Sequence, residues 1–536
     1  VFDMQTFVVL GELRLPGVTG QATSLVRWGA DGLAFRTDGL VFVLQHPLVA
    51  APAPPPFTAA PAAAPLNFTV QGSVSALNTP TPGVTVNYSG TRSGTTQTDA
   101  AGRFSIADLP LCSTLTVTPS KPFWTFTPAS VTVTNPSGQT AHFSAFHSVT
   151  GFAVTQTSAS EGQHRVFLPV VRSVNGYGAA SLSYTVTPGT ASERNDYTGT
   201  SGTFRFEPGV SQSSIEILLT DDAFVEGPET FTVTLGDVRG MEAELVNNVI
   251  TVTVNDNDTA QPVTSPLQDP VFFVRRQYQD FLGRDPSADP VGGNFWLHEI
   301  TGCYAEPKPQ QVAECLAVKH INVSAAFFLS IEFQQTGYLV HRLYAASYPA
   351  SAARPRGLPR FAEFMRDTRE VGRGVVVGQF QWEQKLEANK QALVQAWVTR
   401  PEFVAQHPEG QGAGEYVDSL FANAGAQASA EERAAAVAAF GAGGAQGRAA
   451  ALRSVAESGS VSQRQFNQAF VLMQYFGYLR RDPDAAPDAD FSGYQFWLDK
   501  LNEFQGDYIR AEMVKAFITS LEYQQRFGPA NFDLSK

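Results

Sequence analysis

At 536 residues, 43% hydrophobic and only 16% charged, the chain is long enough for several independent cores, since a single core rarely grows beyond roughly 250 residues. A formal net charge of −13 and a pI near 5.2 leave no basic surface to neutralise phosphates, which excludes nucleic acid as an expected partner. The acidity is uneven: residues 150–262 hold 14 Asp and Glu against five Arg and no Lys, a net of −9.

The chain opens on Val1 with no charged, then apolar, leader, so it reads as the remainder of a longer or processed protein. Residues 1–49 carry short β-type runs, FVVLGELRL, SLVRW and GLVFVL, broken by Gly and Asp turns. The run SLVRWGADGLAFRT resembles the last blade of a secreted β-propeller, an incomplete blade that cannot close a ring by itself. Residues 50–66, with APAPPPFTAAPAAAP, form a stiff Pro/Ala linker. From 67 to 146 the pattern alternates and is β-branched (FTVQGSVS, GVTVNYSG, GRFSIADLP, TLTVTPS, ASVTVT) with turns at short intervals, the mark of a small β-sandwich. GVTVNYSG, TDAAGRFSIADLP and LTVTPSKPFWTFTPAS resemble carboxypeptidase-regulatory-like or Cna-B-like modules, which implies a stalk or spacer without an active site.

Residues 150–258 give seven strand candidates, near 152–158, 164–173, 180–188, 202–207, 213–220, 230–237 and 248–255, the size of an immunoglobulin-like sandwich. A second linker, 259–268, leads into residues 269–528, where apolar residues recur at three and four spacing. The expected fold class is therefore multidomain: all-β immunoglobulin-like sandwiches followed by an all-α helical repeat domain. The repeats are visible as LGRDP and LRRDP, as Gly-x-x-x-Trp at Gly292/Trp296, Gly378/Trp382 and Gly493/Trp497, and as the pairs Glu332-Phe333, Glu402-Phe403 and Glu522-Tyr523. Ser429 and Glu432 spell a capping box. Repeated helical units bury their faces on one another, which suits an interaction scaffold better than a catalytic pocket.

If consecutive strands of 150–258 run in opposite directions, the ends of the first, third, fifth and seventh share one pole. Glu161 follows the first, Asp196 the third, Asp221, Asp222, Glu226 and Glu229 the fifth, and Asp256, Asn257 and Asp258 the seventh. So many carboxylates without Lys or Arg must raise their pKa values or bind a cation. Oxygen ligands without His or Cys suit calcium. An acid and base pair in a sugar cleft needs aromatic platforms, and only Tyr197 and Phe224 lie near; a solvated acidic pole is the third reading.

The runs SASEGQ, GTASERNDY, GTFRFEPG, LLTDDAFVEGPETFTVTL and VTVNDND resemble, in order, a Calx-beta domain, the calcium-binding sandwich of sodium-calcium exchangers and integrin β4. The resemblance implies ligands at Glu161, Asp196, Asp222, Glu226, Asp256 and Asp258, with Asp221, Glu229 and Asn257 as contributors. Asn257 stands where the family pattern has a carboxylate, which implies fewer ions or weaker binding.

Cys303 and Cys315 sit close in GCYAEPKPQQVAEC and Cys112 stands alone. A secreted origin with a Cys303–Cys315 disulfide is expected, against two free helix-packed thiols. The helical half, through YQDFLGRDP, GGNFW, FFLSIEFQQTGY, FGYLRRDP, GYQFWLDKL and FITSLEYQQRF, resembles a bacterial domain of unknown function, number four-two-one-four, which carries no activity to transfer. DADFSGYQFWLD places Asp488, Asp490, Ser492, Gly493 and Asp499 as an EF-hand loop would, but the first repeat copy lacks the acids, so a helix N-cap is expected. His298, His320 and His341 are expected in packing or surface roles. No run reaches the ~18 apolar residues of a membrane span. The expectation is a non-catalytic extracellular or cell-surface protein that binds calcium and serves adhesion, matrix or surface-layer assembly. Its partners would be surface or matrix proteins, glycans or further copies of itself. The alternatives are an accessory C-terminal region of a larger secreted enzyme, or a filament subunit.

Overall fold

Alternating apolar residues build the first half. In a computed structural model, which describes residues 9, 11–12, 14–47, 67–110, 112–134, 140–173, 178–199, 201–352 and 354–536, the strands precede the α-helices. Thr23–Trp28, Gly32–Arg36 and Val41–Gln45 form a three-stranded antiparallel sheet. Its apolar residues Leu25, Val26, Trp28, Val41 and Val43 stay exposed; the run FVVLGELRL lies partly, and the Pro/Ala linker wholly, outside the described residues.

The chain divides into two compact units, the first ending at Phe143 and the second running mainly from Ser144 to Lys536. In the first, Asn67–Ala76 pairs antiparallel with Arg103–Pro110. A second sheet orders Val131–Thr134, Thr114–Ser120, Thr85–Gly90 and Gly94–Gln97. Val70, Val74, Val86, Phe104, Ile106, Leu115, Val117 and Phe143 fill its core.

The second unit begins with a two-sheet sandwich. One sheet runs Tyr197–Thr198, Gln212–Leu219, Arg165–Ser173, Val149–Phe152, Glu244–Leu245; the other runs Gln156–Ser160, Val249–Asn255, Glu229–Arg239, Ala180–Pro188, Gly202–Phe206. Among the described residues, ten strands replace the seven expected. The first candidate breaks after Phe152 and pairs in both sheets, antiparallel with Arg165–Ser173 and then parallel with Val249–Asn255. Period-two alternation, as in Arg165–Ser173 with Val166, Leu168 and Val170 inward, closes a core that includes Phe152, Phe204, Phe231 and Val252.

Helices fill the rest. The expected linker 259–268 is partly structure: Pro266–Gln268 forms a 3-10 turn with Leu267 fully buried. Asn531 and Asp533 bond Ser265 and Gln268, so the helical part extends to the last residues rather than ending at 528. Cys303 and Cys315 form a disulfide with Cα atoms 5.5 Å apart, and Cys112 is free and exposed. The stretch Pro309–Gln335 is long and apolar enough, with a mean hydropathy of 1.4, to cross a membrane by length and composition. Its Leu316, Val323, Phe327 and Phe328 belong to the helical core, and His320 bonds the carbonyl of Leu534.

The repeats share one constellation. In each of three units a Tyr stands six residues before an Arg, which bonds the Glu of the Glu-aromatic pair: Tyr278, Arg284 and Glu332 (2.8 Å); Tyr348, Arg354 and Glu402 (3.1 Å); Tyr475, Arg481 and Glu522 (2.7 Å). Each guanidinium lies over its Tyr ring, at 4.9, 4.5 and 5.4 Å. Each also binds an acid near the start of the next helix, Asp289, Glu363 or Asp488. Gly292 and Gly493 let the Tyr hydroxyl come close, for an added Cβ would stand 2.6 or 2.7 Å from it. Gly378 does not share this role; its φ is +90 and its surroundings are open.

Candidate metal centre

Strand parity delivers the acids to one end of the second sandwich, and the structure gathers them in two groups. Glu161, Asp256 and Asp258 come from the first and last loops; Asp196, Asp222 and Glu226 come from the two between. Within each group the carboxylate oxygens lie within 4.8 Å of one another. Glu161, on a short 3-10 turn, is 5% exposed, and Asp196 and Asp222 are each 8% exposed. Asp256 joins the groups: one oxygen accepts from the backbone N–H of Glu226, the other from that of Asp258 at 2.6 Å.

Backbone donors fix the remaining carboxylates. Asp222 Oδ1 accepts from Phe224 N–H at 2.8 Å, Asp196 Oδ2 from Ser192 N–H at 2.6 Å, and Glu161 Oε1 from Asn257 N–H at 3.3 Å. The side chain of Asn257 is spent on the scaffold, accepting from Gly162 N–H (3.1 Å) and donating to Asp221 (3.2 Å). Asp221 and Asn257 thus stand beside the two groups, while Glu229 neighbours Asp196 and Glu226. His164, which the sequence pattern does not single out, sits 3.7 Å from Asp221. Nothing in the run around it distinguishes it from any other loop histidine.

Among the described residues no Lys or Arg pairs with the six grouped acids. Burial first, then the charge of Asp222, Asp221 and Asp256, pushes Glu161 up to about 8 against the opposing N–H of Asn257. Burial and the charges of Glu226, Asp196 and Asp258 push Asp222 up to about 8, although Phe224 N–H favours its ionised form. Glu226, Asp258 and Glu229 are raised too, each by burial first and then by neighbouring carboxylates. Such a pole is stable either protonated or neutralised by a cation.

Residues 146–258 match the Calx-beta domain family. This segment is a Calx-beta domain. Among solved structures, the Calx CBD1 domain in its apo form is 28% identical over 21% of this chain and 98% of its own, with a TM-score of 0.20. The calcium binding domain CBD12 of CALX1.1 is 29% identical over 21% of this chain and 47% of its own, also at 0.20. The Calx-beta loops fit a hard divalent cation on their own chemistry: the donors are all oxygen, and Asp258 Oδ2 is buried with no hydrogen-bond partner.

The other candidate loop does not gather ligands. Asp488 pairs with Arg481 at 2.7 Å, Asp490 accepts from Ser492 N–H at 2.7 Å, and Asp499 accepts from Gln495. Only the Asp490 bond stands at the start of the helix Ser492–Glu503, whose cap residue is Phe491 and makes no side-chain cap bond, so the expected side-chain N-cap is not formed there. His320 and His341 are buried and lowered by that burial, and Glu299 pairs with Lys319.

Proposed function

We propose that this is a non-catalytic, modular extracellular protein whose Calx-beta domain is rigidified by calcium and whose helical repeats serve adhesion, matrix or surface-layer assembly. The observation that carries it is the pair of carboxylate groups, drawn from four loops and, among the described residues, without a Lys or Arg partner. Glu161, Asp256 and Asp258 would hold one ion and Asp196, Asp222 and Glu226 another, with Asp221, Glu229 and Asn257 shaping the surroundings. Calcium would supply positive charge that turns mutual repulsion into a cross-link between loops distant in sequence. An ion bound only by the folded state stabilises it by about 2.7 kcal/mol at a hundredfold excess over Kd. A surface setting is supported by the Cys303–Cys315 disulfide. It agrees with a permanent, structural ion, since calcium outside cells is plentiful enough for weak sites.

Calorimetric titration of the full chain with calcium tests this reading. Saturable heat is expected, and the double variant Asp222→Ala/Glu226→Ala should lose the share that belongs to the Asp196, Asp222 and Glu226 group. No heat and no rise in melting temperature at millimolar calcium overturns it.

A further inference from the structure

The three helical units are not equally satisfied in charge, and the difference points to a second binding site. In the last unit Arg481 faces two acids, Asp488 (2.7 Å) and Glu522 (2.7 and 3.1 Å), which leaves one negative charge over. That excess is met from outside the repeat: Arg194, on the Calx-beta loop that also carries Asp196, donates to Glu522. The first unit repeats the arrangement, with Arg284 facing Asp289 (3.4 Å) and Glu332 (2.9 and 2.8 Å). There no second guanidinium arrives, and among the described residues no other cation pairs with either acid.

A cavity of about 220 Å³ lies beside these residues, lined among others by Tyr278, Trp296, Phe327, Ile331 and Glu332. It is smaller than the ~300–1,000 Å³ typical of drug-sized ligand sites, the scale of one long side chain. Aromatic faces beside a carboxylate are the surroundings a guanidinium favours. Arg284 Nη1 is buried without an acceptor, where Arg481 Nη1 donates to the carbonyls of Asp482 (3.1 Å) and Ala485 (2.9 Å). An incoming loop carries such a carbonyl next to its side chain. Ile331, 60% exposed, stands at the mouth as the counterpart of Leu521, 65% exposed.

We infer that the first repeat unit is a docking socket for an arginine side chain presented on a loop of a partner protein, in the manner in which Arg194 docks on Glu522 within this chain. The inference stands apart from calcium binding. It is carried by the charge left over in the first unit, the adjoining cavity and the occupied counterpart in the last.

The test uses the full chain labelled with 5-fluorotryptophan, the Trp296 and Trp497 resonances being assigned through Trp296→Phe and Trp497→Phe. The probe is Nα-acetyl-L-arginine amide, and its citrulline counterpart is the neutral control of equal shape. The Trp296 resonance should shift saturably with the arginine probe, at least tenfold more weakly with citrulline, and not at all in Glu332→Gln. Trp497 should stay still in the parent chain and respond only in Arg194→Ala, which opens the second socket and guards against a misfolded Glu332→Gln. No saturable shift of Trp296, or an equal response to citrulline, overturns the proposal. So does an Arg194→Ala chain whose Trp497 ignores the probe.

Discussion

Replacing Asp222 by Asn should stabilise the metal-free Calx-beta domain and destabilise the calcium-loaded one. The side chain is 8% exposed and its carboxyl is raised from 3.8 to about 8. An acid whose folded pKa exceeds its unfolded value holds its proton more tightly when folded. Its favourable contribution is therefore fully present below about pH 4 and is lost as pH rises toward 8. At 1.36 kcal/mol per unit, the ~4-unit difference is worth about 5 kcal/mol by pH 8. Because the shift is shared with Glu226, Asp196 and Asp258, a gain of about 2–5 kcal/mol in Asp222→Asn is expected. At pH 4.5 the same linkage leaves less than about 1 kcal/mol. Calorimetric melting in chelator, where 1 kcal/mol moves a domain of about this size by roughly 4 °C, should show the variant melting higher at pH 8 and almost level at pH 4.5. In saturating calcium the order should reverse, since Asp222 is a proposed ligand. If the Asp222→Asn variant melts at or below the parent in chelator at pH 8, the buried-charge reasoning is wrong.

Asn257→Asp sets a carboxylate against Asp221 in place of the 3.2 Å amide bond; metal-free stability should fall by about 1–2 kcal/mol while calcium binds more tightly, both read by titration and melting calorimetry. Asp280→Asn removes the acid that meets Arg276 (2.8 Å) and Arg526 (3.2 Å) inside the fold, and should cost about 3–5 kcal/mol in the unfolding of the helical part followed by circular dichroism. Gly292→Ala drives a methyl to 2.3 Å from Asp289 Oδ2 and 2.6 Å from the Tyr278 hydroxyl; a loss of about 1–3 kcal/mol is expected in the same assay. Cys315→Ser opens a loop closed over a separation of 12 residues, and should lower stability by about 3 kcal/mol, with reductant giving the parent chain the same loss.

The acidic pole was legible because it needs only strand direction, not the exact count: four loops at the same end must meet. What parity could not show is the split into two groups, in which backbone donors hold Asp196, Asp222 and Glu161. The first strand's exchange between sheets was equally hidden, since both halves alternate and only the break after Phe152 separates them. In the helical half the Trp and Glu-aromatic recurrences were visible, and Arg284 and Arg481 stood in LGRDP and LRRDP, but the third tie was hidden because Arg354 lies in a stretch without that signature. The spacing of six from Tyr to Arg was the available signal. Gly378-x-x-x-Trp382 matched the pattern by letter yet does a different job, as the open space around that glycine shows.

The same two loops of the Calx-beta domain that carry acids outward also hold the helical part. Ala223 N–H, next to Asp222, donates to the carbonyl of Phe527 at 3.0 Å, and the carbonyl of Arg194 accepts from Arg526 at 3.0 Å. Thr220 meets Arg276 at 3.4 Å, and Glu193 meets Arg480 at 3.4 Å. Repulsion among the metal-free carboxylates is thus restrained by bonds whose other ends belong to the helical core. The two halves carry opposite pH dependence: although burial pushes Asp280 up, Arg276, Arg526 and Arg480 hold its carboxyl below the usual range. A depressed acid contributes stability above its unfolded pKa that is lost as pH falls. Acid should therefore loosen the arginine-lined side of the junction first, and alkali in the absence of metal the carboxylate side. A chain in which both sides failed together at one pH extreme would not be built this way.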